Sequence, residues 1–119
     1  MARNITVAAA QMGPIQRADD RASVVARLLE LMREAHAMGC RMVVFPELTL
    51  TTFFPRWFMM DQADVDAYFE AEMPGSETRV LFETAAELGI GFHLGYAELA
   101  LENGAPRHFN TAILVDGSG

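Results

Sequence analysis

Met42-Val43-Val44-Phe45-Pro46-Glu47-Leu48 is the stretch on which the fold turns. Residues 42–45 are an unbroken apolar run containing adjacent β-branched residues. Such a run reads as a buried strand, because branched side chains pack well on a pleated surface. A carboxylate, Glu47, follows the strand almost at once, and a loop rich in aromatic residues comes after it.

Working upstream, Val24, Leu28, Leu31, Met32 and Ala35 recur at helical spacing. Arg27, Glu30, Arg33 and Glu34 lie mostly on the opposite face, so residues 20–38 read as an amphipathic helix. Asp19 and Asp20 can cap its positive end, and Gly39 tolerates the left-handed conformation that closes helices. Before it, residues 5–11 are a small and β-branched run bounded by Gly13-Pro14. They read as a first strand buried on both faces. Strand, helix, strand with a long crossover implies a parallel pair and a right-handed connection.

Working downstream, the loop over residues 46–60 carries Phe53, Phe54, Pro55, Trp57 and Phe58. It is long for a connection in a compact domain, and loops of that length are often functional. A short helix follows over residues 62–72 until Pro74-Gly75 breaks it. Ser76 can cap another helix reaching Leu88, with Val80, Leu81, Ala85 and Leu88 inward and Gly89 at its end. Residues 90–101 form a long strand whose Gly91 and Gly95 mark a bend or the close approach of another backbone. Asn103-Gly104 suits a hairpin turn that needs positive φ, and residues 107–115 return as its partner strand. Asp116-Gly117-Ser118-Gly119 is a further turn signal, which suggests a domain that continues.

Composition narrows the functional classes. The 119 residues suffice for one domain with one core, and 51% of them are hydrophobic, which rules out general disorder. No apolar run spans a bilayer and no secretory h-region opens the chain, so a cytoplasmic protein without a membrane partner is expected. Net charge is −7, every basic residue is an arginine, and the charges are scattered, which argues against a nucleic-acid partner. A single cysteine excludes an internal disulfide framework, and the three histidines lack ligand spacing, so no metal site is expected.

In open α/β sheets ligands bind outside the carboxyl ends of the strands. Glu47 lies just past such an end. Apolar neighbours would desolvate it and raise its pKa, which suits a general acid or base near neutrality. Strand-end glutamates also serve simply to bond a helix N-terminus or a nearby arginine, and pattern alone leaves both readings open.

The residues around Glu47 resemble a known family. Phe45-Pro46-Glu47-Leu48 after a Val-rich strand resembles the first catalytic motif of the nitrilase superfamily. Residues 9–14, Ala-Ala-Gln-Met-Gly-Pro, resemble its first-strand segment. Residues 109–119, beginning Phe109-Asn110-Thr111, resemble its strand and turn before the lysine motif. Within that superfamily, residues 51–57, 87–92 and 94–99 are similar to N-carbamoyl-D-amino-acid amidohydrolases. The resemblance covers essentially the whole chain in one register.

The resemblance implies the N-terminal part of an αββα sandwich, here an incomplete α/β sheet with helices packed on one side. It implies a Glu-Lys-Cys triad in which Glu47 is the general base. Glu47 would take a thiol proton, and the thiolate would attack the ureido carbonyl of a small-molecule N-carbamoyl-D-amino acid. A lysine ammonium would stabilise the oxyanion while ammonia leaves. Water activated by Glu47 would then release a carbamate that breaks down to carbon dioxide and the free D-amino acid. The scheme needs no metal or organic cofactor, and the complete enzyme would be a homo-oligomer. The lysine and the nucleophilic cysteine fall outside the resembling segment, so the isolated chain is expected to be inactive. Cys40 precedes the strand, at the opposite end from Glu47, and reads as a small residue at a helix-to-strand junction.

Other residues have lesser claims. Phe53, Phe54 and, with a weaker claim, Trp57 can form an aromatic wall for the substrate side chain, or simply pack the loop onto the core. Asn110, on the strand next to the expected lysine, can support the site by hydrogen bonds or serve a buried structural role. Arg56 can hold an acidic group, though pairing with a nearby carboxylate is the simpler expectation. Glu98, in an apolar strand, calls for an ion-pair partner. His93 and His108 read as strand residues without catalytic duty. Two rival functions stand beside the first: hydrolysis of another linear amide or ureido compound such as N-carbamoylputrescine, and a non-catalytic binding module.

Overall fold

The computed structural model describes residues 2–118. In chain order the elements are β1 (Val7–Ala9), α1 (Arg21–Ala37), β2 (Met42–Val44), a 3-10 turn (Phe54–Arg56), α2 (Gln62–Asp66), α3 (Arg79–Leu88), β3 (Gly91–Glu102) and β4 (Ala105–Val115). The strands make a sheet of order β1-β2-β3-β4. β1, β2 and β3 run parallel, and β4 returns antiparallel to β3. The turn between β3 and β4 uses Asn103 (φ 52°) and Gly104 (φ 78°), the positive-φ pair read from the sequence.

Both long helices lie on one face of the sheet. Val24, Leu28 and Met32 of α1 and Leu81 and Ala85 of α3 meet Val43, Phe45, Phe92 and Leu94 in one core, all of them buried. Each large side chain there is worth about 1.5–3 kcal/mol relative to exposure. Asp20 caps α1 by accepting from the Ser23 backbone N–H at 2.8 Å. That bond, supported by the Ser23 hydroxyl, holds the Asp20 carboxyl below its ordinary range. Gly39, at φ 81°, follows the helix as the left-handed residue expected there.

Four readings are corrected. β1 is an edge strand, not one buried on both faces: Val7 is 50% exposed, and only Ala8 packs against the core. In β2, Val43 is buried but Val44 is exposed, because the helices cover only one face and side chains alternate along a strand. α2 stops at Asp66 instead of reaching residue 72. Glu70 leaves helical geometry to pair with the free edge of β3, its N–H donating to the Ala97 carbonyl at 2.7 Å and its carbonyl accepting from Leu99 at 2.9 Å. Arg21 of α1 bonds the Glu70 carboxylate and anchors that turn. α3 begins at Arg79, so Ser76 is no cap, and Val80 is exposed rather than inward. No helix among the described residues is long and apolar enough to cross a membrane.

Candidate active site

Alternation assigns the two faces of β3. Phe92, Leu94 and Tyr96 belong to the helix-covered core, so His93, Gly95 and Ala97 lie on the other face. The segment leaving β2 crosses that second face. Its backbone is tied to the β3 edge by Phe45 N–H to the His93 carbonyl at 2.9 Å and Thr49 N–H to the Gly95 carbonyl at 3.0 Å. Between those ties Pro46, which has no N–H to give, is followed by Glu47 and Leu48.

The approach is close. A Cβ on Gly95 would stand 3.0 Å from the Glu47 Cα and 3.2 Å from the Leu48 nitrogen. Only glycine lets the two backbones meet this way. Leu48 adopts φ 46°, left-handed geometry that costs a non-glycine residue about 1–3 kcal/mol. Its side chain is buried with Phe54 and Ala97, which offsets that strain. The turn therefore holds the Glu47 backbone in place from both sides.

Asn110 of β4 completes the arrangement. The β3–β4 register sets Asn110 opposite Ala97, and its side-chain amide donates to Glu47 Oε1 at 2.6 Å. Charge-assisted bonds of this kind are short and strong, and they orient a carboxylate. Glu47 is exposed, not shielded by its apolar neighbours as the sequence suggested, and its other oxygen has no protein partner among the described residues. Asn110 is likewise exposed, so the buried structural role is set aside.

Glu47 lines a cavity of about 520 Å³ whose far wall is the loop after β1, including Met12 and Pro14. Arg27 of α1 shapes that wall by bonding the Met12 and Pro14 carbonyls. Phe53 lines the same cavity and is 49% exposed. Phe54 is buried instead, stacked on Tyr68 at 4.9 Å, and borders a smaller neighbouring cavity together with Asn110. Arg56 lines the Glu47 cavity but has no carboxylate partner among the described residues. Its guanidinium lies 4.8 Å from the Trp57 ring centre, with Arg17 also near that ring at 5.2 Å, so stacking replaces the expected ion pair. Glu98 also lacks a cation among the described residues. It accepts from the hydroxyls of Thr111 at 2.8 Å and Tyr96 at 3.5 Å, cross-strand and same-face neighbours that the chain alone does not reveal. Burial, and then the charge of Glu98, pushes the Tyr96 phenol up.

Cys40 is buried at the α1–β2 junction and lines neither cavity. No three His, Cys, Asp or Glu side chains among the described residues are grouped to hold a metal ion. The strain at Leu48 and the two carbonyl bonds of Arg27 carry no sequence signal. Gly95 does carry one, as a glycine inside a strand.

A strand-exit glutamate held by an amide over a cavity now has a family. The profile described as carbon–nitrogen hydrolase matches residues 6–119. The chain belongs to the carbon–nitrogen hydrolase family. Solved structures agree on the fold. The NitN amidase from Nesterenkonia sp. AN1 superposes with a TM-score of 0.71 at 17% identity, covering 97% of this chain and 40% of that one. Nit3 from Saccharomyces cerevisiae, a member of branch 10 of the nitrilase superfamily, gives 0.70 at 18% identity, covering 97% and 41%. A glutamine-dependent NAD(+) synthetase from Cytophaga hutchinsonii gives 0.63 at 20% identity, covering 96% and 17%. This carbon–nitrogen hydrolase chain thus spans about 40% of the length of the amidase and Nit3 structures it matches.

Proposed function

We propose that Glu47 is the general base of a cysteine-dependent carbon–nitrogen hydrolase acting on N-carbamoyl-D-amino acids, releasing ammonia, carbon dioxide and the free D-amino acid. The observation that carries this reading is the Asn110 bond, which orients one Glu47 oxygen and leaves the other without a protein partner at a cavity. A carboxylate so held can take a thiol proton and later activate water. In a glutamate-to-glutamine mutant of the Nesterenkonia amidase, acrylamide has added to the active-site cysteine, which fits a thiol as the group Glu47 serves. These 119 residues contain no lysine, and their one cysteine is Cys40. In this reading a lysine and a thiol from outside them complete the site.

Arg56 favours an N-carbamoyl amino acid over N-carbamoylputrescine. A guanidinium on the cavity wall suits a substrate carboxylate and opposes a cationic amine. The test is ammonia release by a protein joining this chain to a lysine- and cysteine-bearing remainder of the family. N-carbamoyl-D-phenylglycine and N-carbamoylputrescine are compared, with the 119-residue chain as control. Turnover of the D-amino-acid derivative by the joined protein alone is expected. Faster turnover of N-carbamoylputrescine, or ammonia from the 119 residues by themselves, overturns the reading.

A further inference from the structure

The smaller cavity beside Asn110 has a construction of its own. Leu48, Phe54, Phe69 and Ala97 supply apolar walls, and Asn110 and His108 stand on one face of β4, two residues apart. Its volume is about 220 Å³, more than the ~150 Å³ in which an apolar cavity takes up benzene.

His108 does not hang loose at this wall. Its Nε2 lies 2.6 Å from Asp66 Oδ1, and the same oxygen accepts from the Gln62 amide at 2.8 Å. The imidazole stands perpendicular to the Phe69 ring, with centres 4.8 Å apart and planes at 89°, and Phe69 in turn packs on Phe54 at 5.5 Å. α2 thus braces a ring of β4 against the aromatic loop. Asp66 and His108 satisfy each other, so the wall presents no unpartnered charge. A charged group placed there would lose water and gain no partner.

Resting on the hydrolase reading above, we infer that this cavity is the subsite for the substrate's side chain, that it selects uncharged apolar side chains large enough to fill it, and that His108 sets its outer wall. The placement of one shared pair between the two cavities supports this division. The Asn110 amide borders this cavity and also bonds Glu47, which lines the larger one, so the Glu47–Asn110 pair stands between the two. In the substrate one nitrogen separates the ureido carbonyl from the carbon that bears the side chain, so a carbonyl held at Glu47 leaves the side chain to extend past Asn110 towards the cavity that Ala97 and Phe69 line. Phe54 then belongs to the side-chain subsite, and Phe53 to the cavity of the reacting group.

The test needs no turnover. Amide and side-chain NMR shifts of the 119-residue chain are followed with millimolar N-carbamoyl-D-phenylalanine, N-carbamoylglycine and N-carbamoyl-D-aspartate. The phenylalanine derivative is expected to move Phe69, Ala97, His108 and the Asn110 side-chain amide, and to bind at least ~10-fold more tightly than the other two. Ala97→Leu, which fills the cavity, should remove that preference. His108→Ala, which opens the wall, should weaken the phenylalanine derivative several-fold and leave the glycine derivative unchanged. Shifts confined to the loop after β1, equal affinity for the three probes, or no binding of any would each overturn the inference. Ammonia release by the joined protein tests the hydrolase reading separately, so each can fail alone.

Discussion

The two faces of the sheet are built on different terms. On the helix side, Val24, Leu28, Met32, Leu81, Phe92 and Leu94 are fully or almost fully buried. On the other side, Val7, Val44 and Leu114 are exposed, the His93 Nδ1 is buried without a hydrogen-bond partner among the described residues, and Leu48 is strained. Glu47 and Asn110 stand on that second side. The difference teaches that this chain keeps its main core on one face and the proposed site on the other, so substitutions on the two should be separable.

The largest expected effect is chemical. In the protein completed with lysine and cysteine, Glu47→Gln should lower the rate of ammonia release by about 10²–10⁴-fold, the usual worth of a positioned general base, with the melting temperature nearly unchanged. A wild-type rate would dissolve the contrast between the faces. The mirror experiment is Leu28→Ala, which should cost about 2–5 kcal/mol in urea denaturation through the cavity it leaves, with no specific effect on KM. Gly95→Ala tests the contact where the two faces meet through a shared strand. Its methyl would press on the Glu47 and Leu48 backbone, costing about 1–3 kcal/mol, and activity should fall further than stability predicts. Asn110→Ala should slow turnover roughly 10-fold by freeing the carboxylate from a bond worth about 1.5–3 kcal/mol; Asn110→Gln need not restore it, because the longer side chain misplaces the amide.

The smallest effect concerns acid. The Gln62 amide, and after it His108, hold the Asp66 carboxyl below its ordinary range. A carboxyl whose folded pKa is depressed contributes stability that is present above its unfolded pKa of about 3.9 and is lost as pH falls through the lower folded value. Melting temperature should therefore fall slightly more steeply below about pH 4 in the wild type than in Asp66→Asn. Identical slopes would show that the bonds from Gln62 and His108 to Asp66 add no pH-dependent stability.

Local pattern determined much of this protein. The 3.6-residue period of Val24, Leu28, Met32 and Ala35, the Asn103-Gly104 turn, and the apolar run into Glu47 record preferences carried by a few neighbouring residues, so the parallel α/β order and the place of the carboxylate could be read directly. What the chain could not show arises between residues far apart. α2 is cut short because Glu70 finds a free strand edge and Arg21; Glu98 is satisfied by the hydroxyls of Thr111 and Tyr96; Arg56 stacks on Trp57 instead of pairing. The burial of β1 was misread because a strand's apolar composition does not say how many of its faces will be covered. Above all, the amide of Asn110 reaches Glu47 across 63 positions of sequence. The sequence alone placed a carboxylate at a strand exit, since residue type and strand exit are local properties. Only the tertiary structure decided what holds it, because hydrogen bonds depend on distance and direction in space, which the order of residues does not encode.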